Sequence, residues 1–254
     1  MFEASNFLAQ KWATVSSKQI STAAPLSYVD EAQLAGMLVN DGRSCLYSAL
    51  VSVADALRGL DQGFYSWSGV KLYYAAFYAS RASLAFSKTA IFYIGTSAYW
   101  IDVRPGALPS KPPSGVGSSS HKLVLKLFEN KETGAAILSQ PIDGDEPLVW
   151  LQKVREELNY RNAKFVEPFC PSYFRHIPTQ TTRRLVAAYF DDKIFEFSFD
   201  PEHALVAYPI ELLKFVAANR APKNCFGDAD KASLGEMISD RLGRLAYFDK
   251  IMNA

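Results

Sequence analysis

Histidine and cysteine are scarce in this chain, three of each in 254 residues, and what they fail to form excludes several chemistries. Cys45, Cys170 and Cys225 lie far apart, with no CxxC pair and no histidine at zinc-finger spacing, so a zinc framework is excluded and free thiols in a reducing compartment are expected. The first residues lack a basic start followed by an apolar core, and no stretch reaches the length of a membrane span without a charge. These features give the expectation of a cytoplasmic protein with no membrane contact. Charge of one sign is also missing. With 27 basic and 26 acidic residues the formal charge is +1, so no global field draws in a polyanion and any nucleic-acid contact must come from a local patch. There is no GxxxxGK(S/T) loop, no GxGxxG after a strand, no HExxH and no GxSxG. Nucleotide hydrolysis, dinucleotide binding, zinc proteolysis and ordinary serine hydrolysis are therefore disfavoured, and neither a metal nor a cofactor is expected.

What is present is a hydrophobic content of 49% with 21% charged residues, enough for a folded core. Its periodicity is mainly helical. Residues 1–29 read as an arm with an amphipathic segment over Phe2 to Trp12. From Asp30, apolar residues recur as Leu34, Met37 and Leu38, then, after a break expected at Asp41-Gly42, as Leu46, Leu50, Val53 and Leu57. Val70 to Lys88, VKLYYAAFYASRASLAFSK, reads as a buried central helix with Tyr74, Phe77, Arg81 and Leu84 on one face. An arginine there requires a carboxylate, a phosphate or several carbonyls. Residues 90–104 read as a β-hairpin about Gly95-Thr96, and 107–120, with three prolines, as an exposed loop. Helices are expected over His121–Asn130, capped by Ser119 or Ser120, and from Asp145 to about Asn162. Residues 165–178 are broken by prolines. Beyond them, a helix over Thr181–Phe190, a strand over Lys193–Phe199 and helices over Pro201–Asn219 and Lys231–Met252 are predicted.

The long helix, the helix of the form YYAAFYASRA, the Ser-His helix start at 120–121 and the Arg161-Asn162 pair at a helix end together resemble the HEPN family. The resemblance covers about residues 30–162. It implies an up-and-down helical bundle at 30–165 with the inserted hairpin, followed by a C-terminal α+β extension at 166–254. It also implies membership of a bacterial multi-component system such as toxin-antitoxin or anti-phage defence, often as a dimer. Active members are metal-independent ribonucleases that use an arginine and a polar residue with a histidine four to six positions beyond the arginine. Here Arg161 to Pro168 contains no histidine.

A 2′-hydroxyl cleavage needs a group that exchanges a proton near neutral pH, which arginine does not. The resemblance with this departure therefore implies a non-catalytic interaction subunit whose partners are other protein subunits or a second copy. Tyr73, Tyr78, Tyr93, Tyr99 and Trp100 are the candidate interface aromatics. A metal-independent ribonuclease is the alternative, with Arg161 and Asn162 on the phosphate and His121 or His176 as a displaced proton carrier. A third reading is an RNA- or DNA-binding module using Arg161, Arg183 and Arg184. For each residue a plainer role stands beside this one: His121 as a helix-start residue, His176 as a loop residue, Glu157–Arg161 as an i,i+4 pair and Arg183-Arg184 as a solvated face.

Overall fold

The computed structural model describes residues 2–15, 19–117, 119–161 and 164–254, and in it the chain is mainly α-helical. The arm forms α1 (Glu3–Lys11), and its N-terminus is closed by a side chain from elsewhere: the Asp41 carboxylate accepts from the backbone N–H groups of Glu3 at 2.8 Å and Ala4 at 3.1 Å. An anion at the exposed N–H groups of a helix is favourable both as an acceptor and through the helix dipole.

The next helix, α2 (Tyr28–Asp61), starts at a capping box in which Ser27 and Asp30 bond each other's backbone. It does not break at Asp41-Gly42, contrary to the expectation from sequence. Gly42 is there because the Phe86 ring lies against the backbone, where a Cβ would stand 2.5 Å from a ring carbon. A three-residue turn leads into α3 (Tyr65–Phe86). Gly59 lies against Ser68 as Gly42 lies against Phe86, so the two helices run antiparallel at close range.

The helix α3 is the centre of the molecule, packed against α2, α4 (Ser120–Lys131), α5 (Pro147–Glu156) and α8 (Ala204–Asn219). Ala75, Ala76, Ala79 and Ala82 are all buried and let these neighbours approach closely. Apart from Phe86 at its end, one stripe of α3 escapes full burial: Trp67, Lys71, Tyr74, Tyr78 and Arg81, at helical spacings of three and four. Tyr74 and Arg81 are thus half-buried on this stripe, whereas Phe77 and Leu84, expected on the same face, are buried. Arg81 lies with its guanidinium carbon 3.5 Å from the centre of the Phe2 ring, and among the described residues it makes no hydrogen bond to a carboxylate. Asp41 and Cys45 line the same small recess.

Strands β1 (Thr89–Ile94) and β2 (Ser97–Asp102) pair antiparallel from Thr89↔Asp102 to Ile94↔Ser97, with Gly95 at a φ of 59° in the two-residue turn. Trp12 stacks on Phe92 at 5.5 Å and its indole donates to the Ala24 carbonyl, so the arm is docked on the hairpin. The main hydrophobic cluster draws on residues between Cys45 and Met252, and a second, smaller one joins α1, the first part of α2 and the hairpin.

Beyond α5 the backbone widens into a π-helical turn, Glu157–Arg161. The helix α6 (Thr182–Asp191) forms where one was predicted, and the Thr181 hydroxyl caps it. The strand predicted at Lys193–Phe199 is absent. Instead Asp192 accepts from the N–H groups of Ile194 and Phe197, Phe195 takes a φ of 62°, and a single turn, α7 (Glu196–Phe199), follows. The final predicted helix is also divided. The helix α9 (Asp228–Met237) gives way to a short ladder of β3 (Ser239–Asp240) with β4 (Gly243–Arg244), and the chain closes in α10 (Asp249–Met252). The Arg183 guanidinium imposes this turn by gripping both oxygens of Asp240 and the carbonyls of Gly243 and Arg244.

Candidate functional site

Three places in the fold gather side chains with chemical capacity. The first lies where α3, α4 and α5 meet. His121, in the first turn of α4, has its Nδ1 3.0 Å from the Tyr73 hydroxyl, and its ring lies between the Tyr73 ring and the Phe77 ring, 4.3 Å from the latter. Burial, then the positive fields of Arg155 and Arg81, hold its pKa below the ordinary value, so it is neutral at pH 7. Burial pushes the Tyr73 phenol up, so it stays protonated.

Beside this pair, Arg155 of α5 lies among three rings, with its guanidinium carbon 5.6 Å from the centre of Tyr73, 5.8 Å from Tyr74 and 4.8 Å from Tyr160. Its Nη2 donates to the hydroxyls of Tyr74 at 3.4 Å and Tyr160 at 3.2 Å, and its Nε is buried without a partner among the described residues. No carboxylate among the described residues forms an ion pair with it. The neighbouring Glu156 instead accepts from Gln152. The arrangement is a fixed cation held by aromatic faces and phenols next to a neutral imidazole.

The second place is in the C-terminal part. His176 stacks on His203, 4.1 Å between ring centres and 6° from parallel; His203 Nδ1 is 3.0 Å from the Tyr189 hydroxyl. Glu202 takes Arg175 on one carboxylate oxygen and lies 3.3 Å from His176 Nε2 on the other. Two stacked imidazoles present their faces to each other rather than converging lone pairs, and among the described residues no group of three His, Cys, Asp or Glu side chains could hold a metal ion.

The third place is the turn between α2 and α3 with the segment that crosses it. Phe64 is 55% exposed, Trp67 49%, Phe165 47% and Phe169 77%, and the Trp67 and Phe165 rings meet edge to face at 5.9 Å. The segment is held there by Glu167, whose oxygens accept from the Ser66 N–H and hydroxyl, both at 2.7 Å. Burial raises the Glu167 pKa, but these bonds outweigh it and leave the carboxylate stabilised. A recess of about 300 Å³ opens between Phe64, Trp67, Arg58 and Lys71.

Set against the residues named from sequence, His121 and His176 occupy separate sites, each against its own tyrosine or histidine partner. Asn162 lies outside the described residues, as does the side chain of Arg161. Glu157 accepts from the Tyr173 hydroxyl at 2.9 Å. Arg183 is consumed by Asp240, while Arg184 is exposed. Of the interface candidates, Tyr73 and Tyr99 are interior residues, unsuited to contact a partner directly; Tyr78, Tyr93 and Trp100 are half-buried. The exposed aromatics that sequence reasoning did not offer as interface residues are Tyr28, Phe64, Trp67, Tyr160, Phe165 and Phe169. A legible signal existed for one of them: Trp67 is four residues before Lys71, which marks the solvent side of α3. No family model matches the chain, and no curated protein or solved structure does either.

Proposed function

We propose that this chain is a non-catalytic, HEPN-like subunit that works by binding another protein within a bacterial multi-component assembly, of which anti-phage defence is the kind the resemblance implies. The observation that carries the reading is the rigid aromatic surface of Phe64, Trp67, Phe165 and Phe169. Large aromatic side chains exposed together stand out against the scattered apolar residues of an ordinary surface, and such residues dominate protein–protein binding energy. Their supporting segment is fastened to α3 by Glu167, so the rings are presented in place rather than on a loose loop.

The helix order also favours the HEPN-like reading, with His121 opening α4 and the π-helical turn after α5 ending at Arg161. The ribonuclease alternative is favoured by no such observation: the Nδ1 of this histidine is tied to Tyr73 and one ring face is covered by Phe77, while its Nε2 stays available for proton transfer, so only a cleavage assay separates the two readings.

The test is to express the chain within its native gene neighbourhood and measure what co-purifies, beside light scattering of the isolated chain. A stoichiometric complex or dimer that is lost in Trp67→Ser/Phe165→Ser, with an unchanged melting curve, supports the proposal. A monomer at high concentration with no partner ends it. Incubation with mixed tRNA in excess EDTA separates the alternative: cleavage that disappears in Arg161→Ala would make the chain a ribonuclease.

A further inference from the structure

The cation at Arg155 has no countercharge among the described residues, and that imbalance names a ligand chemistry. Half-buried beneath Tyr74 and Tyr160, Arg155 has given up part of its hydration, yet its hydrogen bonds go to neutral phenols and its Nε has no partner. A guanidinium presents a planar fork suited to two oxygens of a carboxylate or phosphate. Phenol acceptors compensate this less well than an anion does.

The surroundings distinguish between these two anions. A nucleic acid presents a phosphate at every nucleotide and is bound by several cations in succession. The other cations of the α3 stripe are already engaged: Lys71 pairs with Asp55 at 2.6 Å, and Arg81 lies under Phe2. One unpaired charge therefore stands in a stripe that is otherwise aromatic, with Trp67, Tyr74 and Tyr78 along α3 and the exposed Tyr160 beside Arg155. From Trp67 to Tyr78 the stripe is about 16 Å long at the helical rise per residue, the length of three turns of a helix laid along it.

We propose that the α3 stripe binds an acidic amphipathic segment of a partner protein, with one of its carboxylates seated on Arg155 and its apolar side chains on the flanking aromatic rings. This rests on the interaction-subunit reading and supplies the partner's chemistry.

The probe is a labelled helical peptide of leucine and glutamate, acetyl-LEELLEELLEELL-amide, with a twin in which every glutamate is glutamine. A single-stranded RNA 12-mer serves as competitor. Fluorescence anisotropy is read on the wild type, Arg155→Gln, Arg155→Lys and, as a surface-charge control, Arg184→Gln. The expected result is binding of the glutamate peptide at least tenfold tighter than its twin. That difference should be erased in Arg155→Gln, partly kept in Arg155→Lys and unchanged in Arg184→Gln. Thermal melts establish that the variants are folded. Equal binding of the twins, no binding of the glutamate peptide, or displacement by RNA at lower concentration overturns the inference. Were the native partner still captured by Arg155→Gln, the site assignment would fail while the interaction-subunit reading stood.

Discussion

Glu132, buried at the end of α4, holds Arg220 at the end of α8 through two parallel hydrogen bonds, 2.9 Å from Nε to Oε1 and 2.6 Å from Nη2 to Oε2. The Ser83 hydroxyl of α3 donates to the same Oε1 at 2.8 Å, so one carboxylate ties three helices. Removing its cation strands a buried charge. Arg220→Ala should therefore lower unfolding stability by about 3 kcal/mol, and Glu132→Gln by less because the stranded arginine is over a third exposed. Urea denaturation of both variants gives the comparison; equal losses would mean that burial of Glu132 is not the controlling factor.

His203 makes stability depend on pH. Burial, then the charge of His176, depress the pKa of His203 against the opposing pull of Asp200, Glu202 and Glu196. A base with a depressed folded pKa resists a proton that the unfolded chain accepts below about 6.5. Its contribution is therefore complete above that pH and falls as the pH drops through it. His121 has the same sign. Asp41 and Glu211, raised by burial, act the other way at lower pH, so the useful window is 7.5 to 5.5. Wild-type melting temperature should decline across it, and His121→Gln/His203→Gln should be flatter. Parallel slopes would remove both residues from the account.

Close helix approach at Gly42 sets a third expectation. An added Cβ meets the Phe86 ring at 2.5 Å, so Gly42→Ala forces the ring or the α2–α3 spacing to move even though alanine is the better helix former. The net cost should be about 1–3 kcal/mol by urea denaturation. Gly36, with nothing near its would-be Cβ, is the control: Gly36→Ala should stabilise by up to about 1 kcal/mol.

The Tyr208 hydroxyl is fully buried in α8 with no hydrogen-bond partner among the described residues, and burial raises its pKa well above the ordinary phenol value. Losing that oxygen removes an uncompensated polar atom from the core. Tyr208→Phe should be neutral or stabilise the chain by about 1 kcal/mol; a clear loss would show that the hydroxyl has a partner such as an ordered water.

Much of this fold could be read from the residues because helical periodicity reports burial directly. The phases of α2, α4, α5, α6 and α8 follow their leucines and valines, and the hairpin follows its β-branched residues about Gly95. The misreadings arose where one residue type serves two purposes. Gly42 looks like a break but answers the bulk of Phe86, far away in sequence. The alternation in Lys193–Phe199 suits a strand, yet no partner strand is present among the described residues and Asp192 bends the backbone first. At the candidate site, His121 could be picked out from its helix start. Arg155 could not, because its importance comes from Tyr74, 81 residues earlier, and from the absence of a carboxylate beside it.

The docking of α1 has a consequence for how the chain is made. Its helix is synthesised before the groups that fix it: Asp41, which closes its N-terminus, and Arg81, which lies over Phe2. During synthesis α1 must therefore wait for α2 and most of α3 before it has a place to settle. These contacts span 38 and 79 positions, and closing loops of that length is entropically slow. Until then Leu8 and Trp12, both buried in the finished protein, stay exposed to water and to neighbouring chains.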